Sequence, residues 1–181
     1  MEKEAKEKEE VRKRAEFEAM PEDEKKRISN QKEAEAKKNQ GNEFYKKRKF
    51  SEAITAYNAA VELDPQELTY YTNIAACYFE LAEYEKCIEQ CEQAITVGRS
   101  SGAYDYVKMG KAIARKANAL SKLGKMEESL QAYDEALLEN NHYDIKEARK
   151  KVEKAKKDAE AAAYINPEIA EQHKARGNEL F

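Results

Sequence analysis

Two lysines, an arginine and two asparagines recur at related positions along this chain: Lys38 and Asn42, then Asn73, then Lys111 and Arg115. Lys and Arg supply positive charge, Arg can grip a carboxylate through two parallel hydrogen bonds, and Asn adds neutral donors. No carboxylate is among the five. Gathered into one groove they suit a ligand with two neighbouring carboxylates, such as a chain that ends in Asp, and capture of a C-terminal carboxylate is a known mode of peptide recognition. Scattered over amphipathic helices they are ordinary solvated cations and amides. The elements that carry them decide which.

Those elements are organised around residues 38–65. Apolar or small residues fall there at helical spacing in two halves joined at Arg48-Lys49. Gly41 sits within the first half, where glycine costs about 1 kcal/mol relative to Ala. Its presence suggests a neighbouring helix too close to admit a side chain. Ala53, Tyr57 and Ala60 follow at offsets of +12, +16 and +19, and Pro65 at +24 stops the second half. The pattern returns 34 residues later on Ala75, with Tyr78, Cys87, Cys91 and Ala94. It returns again on Ala117, with Leu120, Ser129, Tyr133 and Ala136, eight residues late. The delay predicts an insertion or a lengthened helix around Gly98–Gly102. A fourth start, Lys174-Ala-Arg-Gly177-Asn178, runs off the end.

The spacing predicts helices near 31–47, 50–63, 67–80, 83–97, 103–122, 126–139, 143–163 and from 168 onward. Each pair packs antiparallel, and stacking the pairs buries a continuous core that one pair could not. In each first helix the positions −4, −1, 0 and +3 from the small residue form the packed face. They are Tyr71, Ile74, Ala75 and Tyr78, then Ile113, Lys116, Ala117 and Leu120. The positions −6, −3, −2 and +1 lie about 200° away, at roughly 100° per residue, and line the opposite, concave face. That face carries Lys38 and Asn42, Thr69 and Asn73, and Lys111 and Arg115. Lys116 and Asn118 flank Ala117 where apolar residues are expected, a departure that puts packing there in question.

Composition agrees with a thin helical array. The chain has 181 residues, 38% of them charged, and a mean hydropathy of −0.99, too polar for one globular core but suited to a solenoid with a charged tail. A net charge of −3 argues against a general grip on nucleic acid. No apolar run spans a bilayer and no secretory signal precedes the repeats, so no membrane partner is expected. Three Cys at core-like offsets favour reduced thiols and a cytoplasmic setting. Cys87 and Cys91 with two distant histidines do not make a four-ligand metal site. Gly110-Lys111 lacks the upstream glycine of a phosphate loop, and no nucleophile constellation is present. No cofactor and no enzymatic activity are expected.

Residues 1–30 alternate Glu with Lys and Arg and offer few apolar side chains. They read as a charged linker or solvated helix supported by i,i+4 pairs, or as a helix for a partner. Pro21 marks a restart, and Asn30 with Glu33 resembles a capping pair for the first repeat helix. At the other end, Ile145, Ala148, Val152, Ala155, Ala159 and Ala162 form a thin stripe, as a terminal capping helix requires.

The small–aromatic–small–proline pattern resembles the tetratricopeptide (TPR) helix–turn–helix unit, with its period of about 34 residues. Lys38-x-x-Gly41-Asn42, Thr72-Asn73 and Lys111-x-x-x-Arg115 resemble the dicarboxylate clamp of chaperone-adaptor TPR domains. More closely, Leu63-Asp64-Pro65, Thr69-Tyr70-Tyr71-Thr72-Asn73, Tyr78-Phe79-Glu80, Val97-Gly98-Arg99 and Ala163-Tyr164-Ile165-Asn166-Pro167 are similar to the middle TPR domain of the heat-shock organising (Hop) co-chaperone family. The likeness covers about residues 35–181 and includes the start of a following TPR domain. It implies an all-α TPR solenoid of three antiparallel helix pairs plus a capping helix. The implied function is an adaptor that holds the C-terminal Met-Glu-Glu-Val-Asp of the ninety-kilodalton heat-shock chaperone, heat shock protein 90. It implies the clamp Lys38, Asn42, Asn73, Lys111 and Arg115, with Tyr45, Thr69 and Glu80 around an upstream pocket.

The expected organisation is a charged segment 1–30, a TPR domain 31–163 and the beginning of another domain at 164–181. The repeats are expected near 34–67, 68–101 and 110–143, with the cap at 144–163. Two alternatives stand beside the favoured function. The same clamp could serve the heat shock protein 70 tail, or the array could be a purely structural interaction scaffold.

Overall fold

The computed structural model describes residues 2–164 and, among them, eight helices and no strand. They are α1 (Glu2–Ala19), α2 (Glu22–Lys46), α3 (Phe50–Leu63), α4 (Leu68–Glu80), α5 (Tyr84–Ser100), α6 (Tyr106–Lys122), α7 (Met126–Glu139) and α8 (Tyr143–Tyr164). The expected helix from 168 onward and the fourth repeat start lie outside the described residues. Helices α2 and α3, α4 and α5, and α6 and α7 pack as pairs, and each pair packs on the next through α3–α4 and α5–α6. Helix α8 closes the stack against α7. Helix α6 also touches α4 and α8 side by side, and Tyr45 of α2 lines one cleft with residues of α4 and α6, so these helices form one wall.

The repeat register holds at offsets 0, +12, +16 and +19. Gly41, Ala75 and Ala117 are buried, as are Ala53, Cys87 and Ser129, Tyr57, Cys91 and Tyr133, and Ala60, Ala94 and Ala136. A Cβ on Gly41 would lie 2.5 Å from Cε1 of Tyr57, so the close neighbour inferred from the sequence is an aromatic ring seated on α2. Ser129, the one serine among these positions, donates to the Ala117 carbonyl at 2.7 Å and is therefore satisfied in the core.

Each pair turns in the same way. Arg48 (φ 58°), Ala82 (φ 58°) and Gly124 (φ 77°) sit seven residues after their small residue and take the left-handed conformation. The next residue's N–H then reaches back to close the helix end: Lys49 to the Phe44 carbonyl (3.0 Å), Glu83 to Tyr78 (2.9 Å) and Lys125 to Leu120 (3.0 Å). This caps carbonyls that the helix leaves open.

Three expectations change. Asn30 and Glu33 do not cap a helix, because α2 runs unbroken from Glu22 and carries both in its interior. Between Pro21 and Gly41 the chain holds only residues that helices accept, so nothing interrupts it. Pro21 itself takes the capping position, and the helix starts one residue later. The stripe on α8 is shorter than expected: Ile145 and Val152 are buried and Ala148 is half-buried, while Ala155, Ala159 and Ala162 are exposed. Only the half of α8 that meets α6 and α7 has a surface to bury against.

The eight late residues of the third repeat lengthen α5 at its end and α6 at its start. Gly98 lies inside the lengthened α5, where a Cβ would come within 2.9 Å of Leu68 Cδ2 and press on Met109. Glycine lets α5 cross α4 before it and α6 after it closely.

Candidate functional site

The wall formed by α2, α4 and α6 carries all the predicted groove residues, and their surroundings differ. Arg115, half-buried on α6, donates from Nη1 to the carbonyl of Thr72 on α4, the residue before Asn73. That contact ties the third repeat's cation to the second repeat's amide. Arg115 also lines a cleft of about 260 Å³ with Tyr45, Ala76, Phe79, Glu80 and Asn118. A second hollow of about 420 Å³ shares Arg115 and Asn118 and adds Lys111, Val107 and His142. Lys111 is exposed one turn back along α6.

Lys38 is less free than its neighbours. Its side chain is 21% exposed, and Nζ donates to Glu35 Oε1 at 2.6 Å. Glu35 occupies offset −6 of the same face, so this end of the groove does hold a carboxylate. Asn42 is half-buried and accepts through Oδ1 from the Tyr57 hydroxyl at 2.8 Å. Asn73 is half-buried on α4.

Of the three upstream residues, the structure gathers two. Tyr45 and Glu80 line the cleft with Arg115. Burial pushes the Tyr45 phenol above its ordinary value, with the Glu80 charge adding to the rise and Arg115 opposing it. The ring stands edge-on to Phe50, with centroids 5.5 Å apart. Arg48 reaches Glu80 at 3.8 Å across the mouth. Thr69 is elsewhere. It lies in the first turn of α4, eleven residues and about 16 Å along the helix from Glu80. Its N–H donates to the capping carboxylate of Glu67 at 2.9 Å, and its hydroxyl bonds the same oxygen. Lys108 from α6 reaches both Glu67 oxygens at 3.1 Å. Burial raises the Glu67 carboxyl, but the bonds from Thr69 and Lys108 outweigh it and hold the group below its ordinary value. Thr69 therefore belongs to an α4–α6 brace.

Asn118 is the groove residue that sequence reasoning missed. It does not disturb packing: it faces the groove, accepts from the Tyr133 hydroxyl at 2.6 Å and donates to the Ala114 carbonyl at 3.0 Å. The signal was available, since Asn118 stands at offset +1, as Asn42 does. Lys116, the other flank of Ala117, points to the back and pairs with Glu92 at 2.8 Å.

The thiols take no part. Cys77, Cys87 and Cys91 are free and buried, and burial pushes Cys77 up to about 11. Among the described residues no cluster of His, Cys, Asp and Glu could hold a metal, and no helix is long and apolar enough to cross a membrane.

Comparison with known proteins adds to this geometry. The TPR repeat model matches residues 41–82, and the tetratricopeptide repeat model matches 68–97 and 110–143. The stress-induced-phosphoprotein 1 of Caenorhabditis elegans is 40% identical over 81% of this chain, which spans 45% of that protein. The Hsp70-Hsp90 organizing protein of Triticum aestivum is 38% identical over 80% of this chain, which spans 25% of it. The chain thus covers half or less of these relatives' length. Among solved structures, the TPR2AB-domain:pHSP90 complex of yeast Sti1 superposes with a TM-score of 0.73 at 42% identity, over 81% of this chain and 56% of that one. The N-terminal domain of STI-1 from C. elegans gives 0.63 at 35% identity, over 68% and 97%.

Proposed function

Since this chain belongs to the tetratricopeptide-repeat family, in which its relatives are the Hop and STI1 proteins, we propose that its groove holds the C-terminal tail of a heat-shock chaperone without chemistry. The favoured ligand is the Met-Glu-Glu-Val-Asp of heat shock protein 90. In this reading residues 31–163 are the binding domain, and Lys38, Asn42, Asn73, Lys111 and Arg115 clamp the two carboxylates of the terminal Asp.

One observation carries the reading: Arg115 crosses from α6 to the α4 backbone beside Asn73. Cations and amides from separate repeats then share one wall. The guanidinium keeps donors to spare after meeting the Thr72 carbonyl, and they can engage a carboxylate bidentately. Lys111 adds charge one turn away. Lys38 must exchange Glu35 for the ligand, which lowers its net gain. Tyr45 and Glu80 flank the upstream residues of the tail, and Thr69 acts by bracing α4 to α6.

The test is calorimetric titration with the free-acid tail, its C-terminal amide and the tail of heat shock protein 70. Tight binding of the free acid and a loss of about 10-fold or more for the amide support the clamp. Equal binding of acid and amide would return the array to a structural scaffold. Tighter binding of the heat shock protein 70 tail would keep the clamp and change the partner.

A further inference from the structure

Asn42 and Tyr57 form a unit that the chain uses twice. Tyr57 is 2% exposed, its ring rests on Gly41, and its hydroxyl donates to Asn42 Oδ1 at 2.8 Å. In the third repeat Tyr133 donates to Asn118 Oδ1 at 2.6 Å across the same sequence separation of 15. There a second bond fixes the orientation of the amide, because Nδ2 of Asn118 already donates to the Ala114 carbonyl. The hydroxyl must then meet the oxygen. In the second repeat the corresponding residues are Ala76 and Cys91. Amide and phenol are lost together, and Cys91 packs in a buried cluster with Cys87 and Ala75 instead.

A phenylalanine would fill the ring site equally well, as the bare hydroxyl adds only the need for a partner. An amide free to turn would offer the groove an acceptor half the time, which repels a carboxylate. With its oxygen held by a donor, it offers Nδ2 alone. We infer that Tyr57 is a positioning residue for peptide binding: its hydroxyl locks Asn42 with its amide donors toward the ligand carboxylate, and Tyr133 sets Asn118 in the same way. This rests on the clamp reading of Asn42.

A double-mutant cycle on the full chain, titrated with the free-acid Met-Glu-Glu-Val-Asp peptide, tests it. Tyr57→Phe should weaken binding roughly 2- to 10-fold, the worth of orienting one hydrogen bond. In an Asn42→Ala background the same change should have no effect on binding. Melting curves run alongside separate stability from affinity, since a purely structural hydroxyl would lower the midpoint and leave affinity alone. An equal loss in both backgrounds, or no loss with Asn42 present, overturns the inference. If Asn42→Ala weakens binding and Tyr57→Phe does not, only the positioning role falls. If Asn42→Ala binds like the parent chain, the clamp role of Asn42 falls first and the positioning role with it.

Discussion

At the residue scale the groove depends on side chains that touch two repeats at once. Arg115 is the clearest: its stem leaves α6, and its guanidinium meets the α4 backbone. Replacing it with Ala should weaken binding of a free-acid tail by about 10- to 100-fold, the worth of a charged hydrogen bond. Helical content should be unchanged by circular dichroism, because the side chain faces the groove. Lysine should restore the charge but only part of the affinity, since an ammonium lacks the planar fork. Full recovery in Arg115→Lys would mean that charge alone is read. Lys38 differs, since Glu35 competes for it at 2.6 Å. Glu35→Gln should therefore tighten binding modestly, and a titration showing weaker binding would assign Glu35 another role.

At the element scale, stability rests on turns and braces. The three left-handed turn residues are equivalent in place but not in type. Gly124→Ala should cost about 1 kcal/mol, because a Cβ is penalised at positive φ. Ala82→Gly should gain a similar amount, less the entropy that glycine brings to the unfolded chain. Urea melts that moved the other way would place the strain elsewhere. The brace of Glu67 with Thr69 and Lys108 makes a pH-dependent contribution. Its folded carboxyl lies below the usual 4.5, so the folded state favours the ionised form. That contribution is complete above the unfolded value and is lost as pH falls through the folded one. The stability gap between the parent chain and Glu67→Gln should thus be present at neutral pH and close on acidification. A gap that persisted in strong acid would leave the charge without a part.

At the scale of the whole molecule, each pair depends on its neighbours. Ala75 on α4 is fully buried against Cys87 and Cys91 of α5 and Ala119 of α6, so Ala75→Leu should overpack that junction and cost about 1–3 kcal/mol. A melt without loss would misplace the repeat register. The groove is open to water, so salt should weaken tail binding steadily over a range in which the Debye length falls from about 10 Å to 3 Å. The net charge of −3 makes this dependence a property of the wall and not of the molecule.

Much of this was written locally. Gly41, Ala75 and Ala117, the aromatic and small residues after them, and Pro65 were enough to place the helix pairs, because a helix repeats every 3.6 residues whatever surrounds it. The same periodicity put Lys38, Asn42, Asn73, Lys111 and Arg115 on one face. The sequence could not say what each would touch. That Glu35 holds Lys38, that Thr69 turns to Glu67, that Arg115 spans to Thr72 and that Asn118 is a groove residue held by Tyr133 were decided by the stack. So were the unbroken run of α2 through Asn30 and the short buried stripe of α8. Which face a side chain takes follows from its own helix, whereas its partner depends on the length, tilt and spacing of the next one.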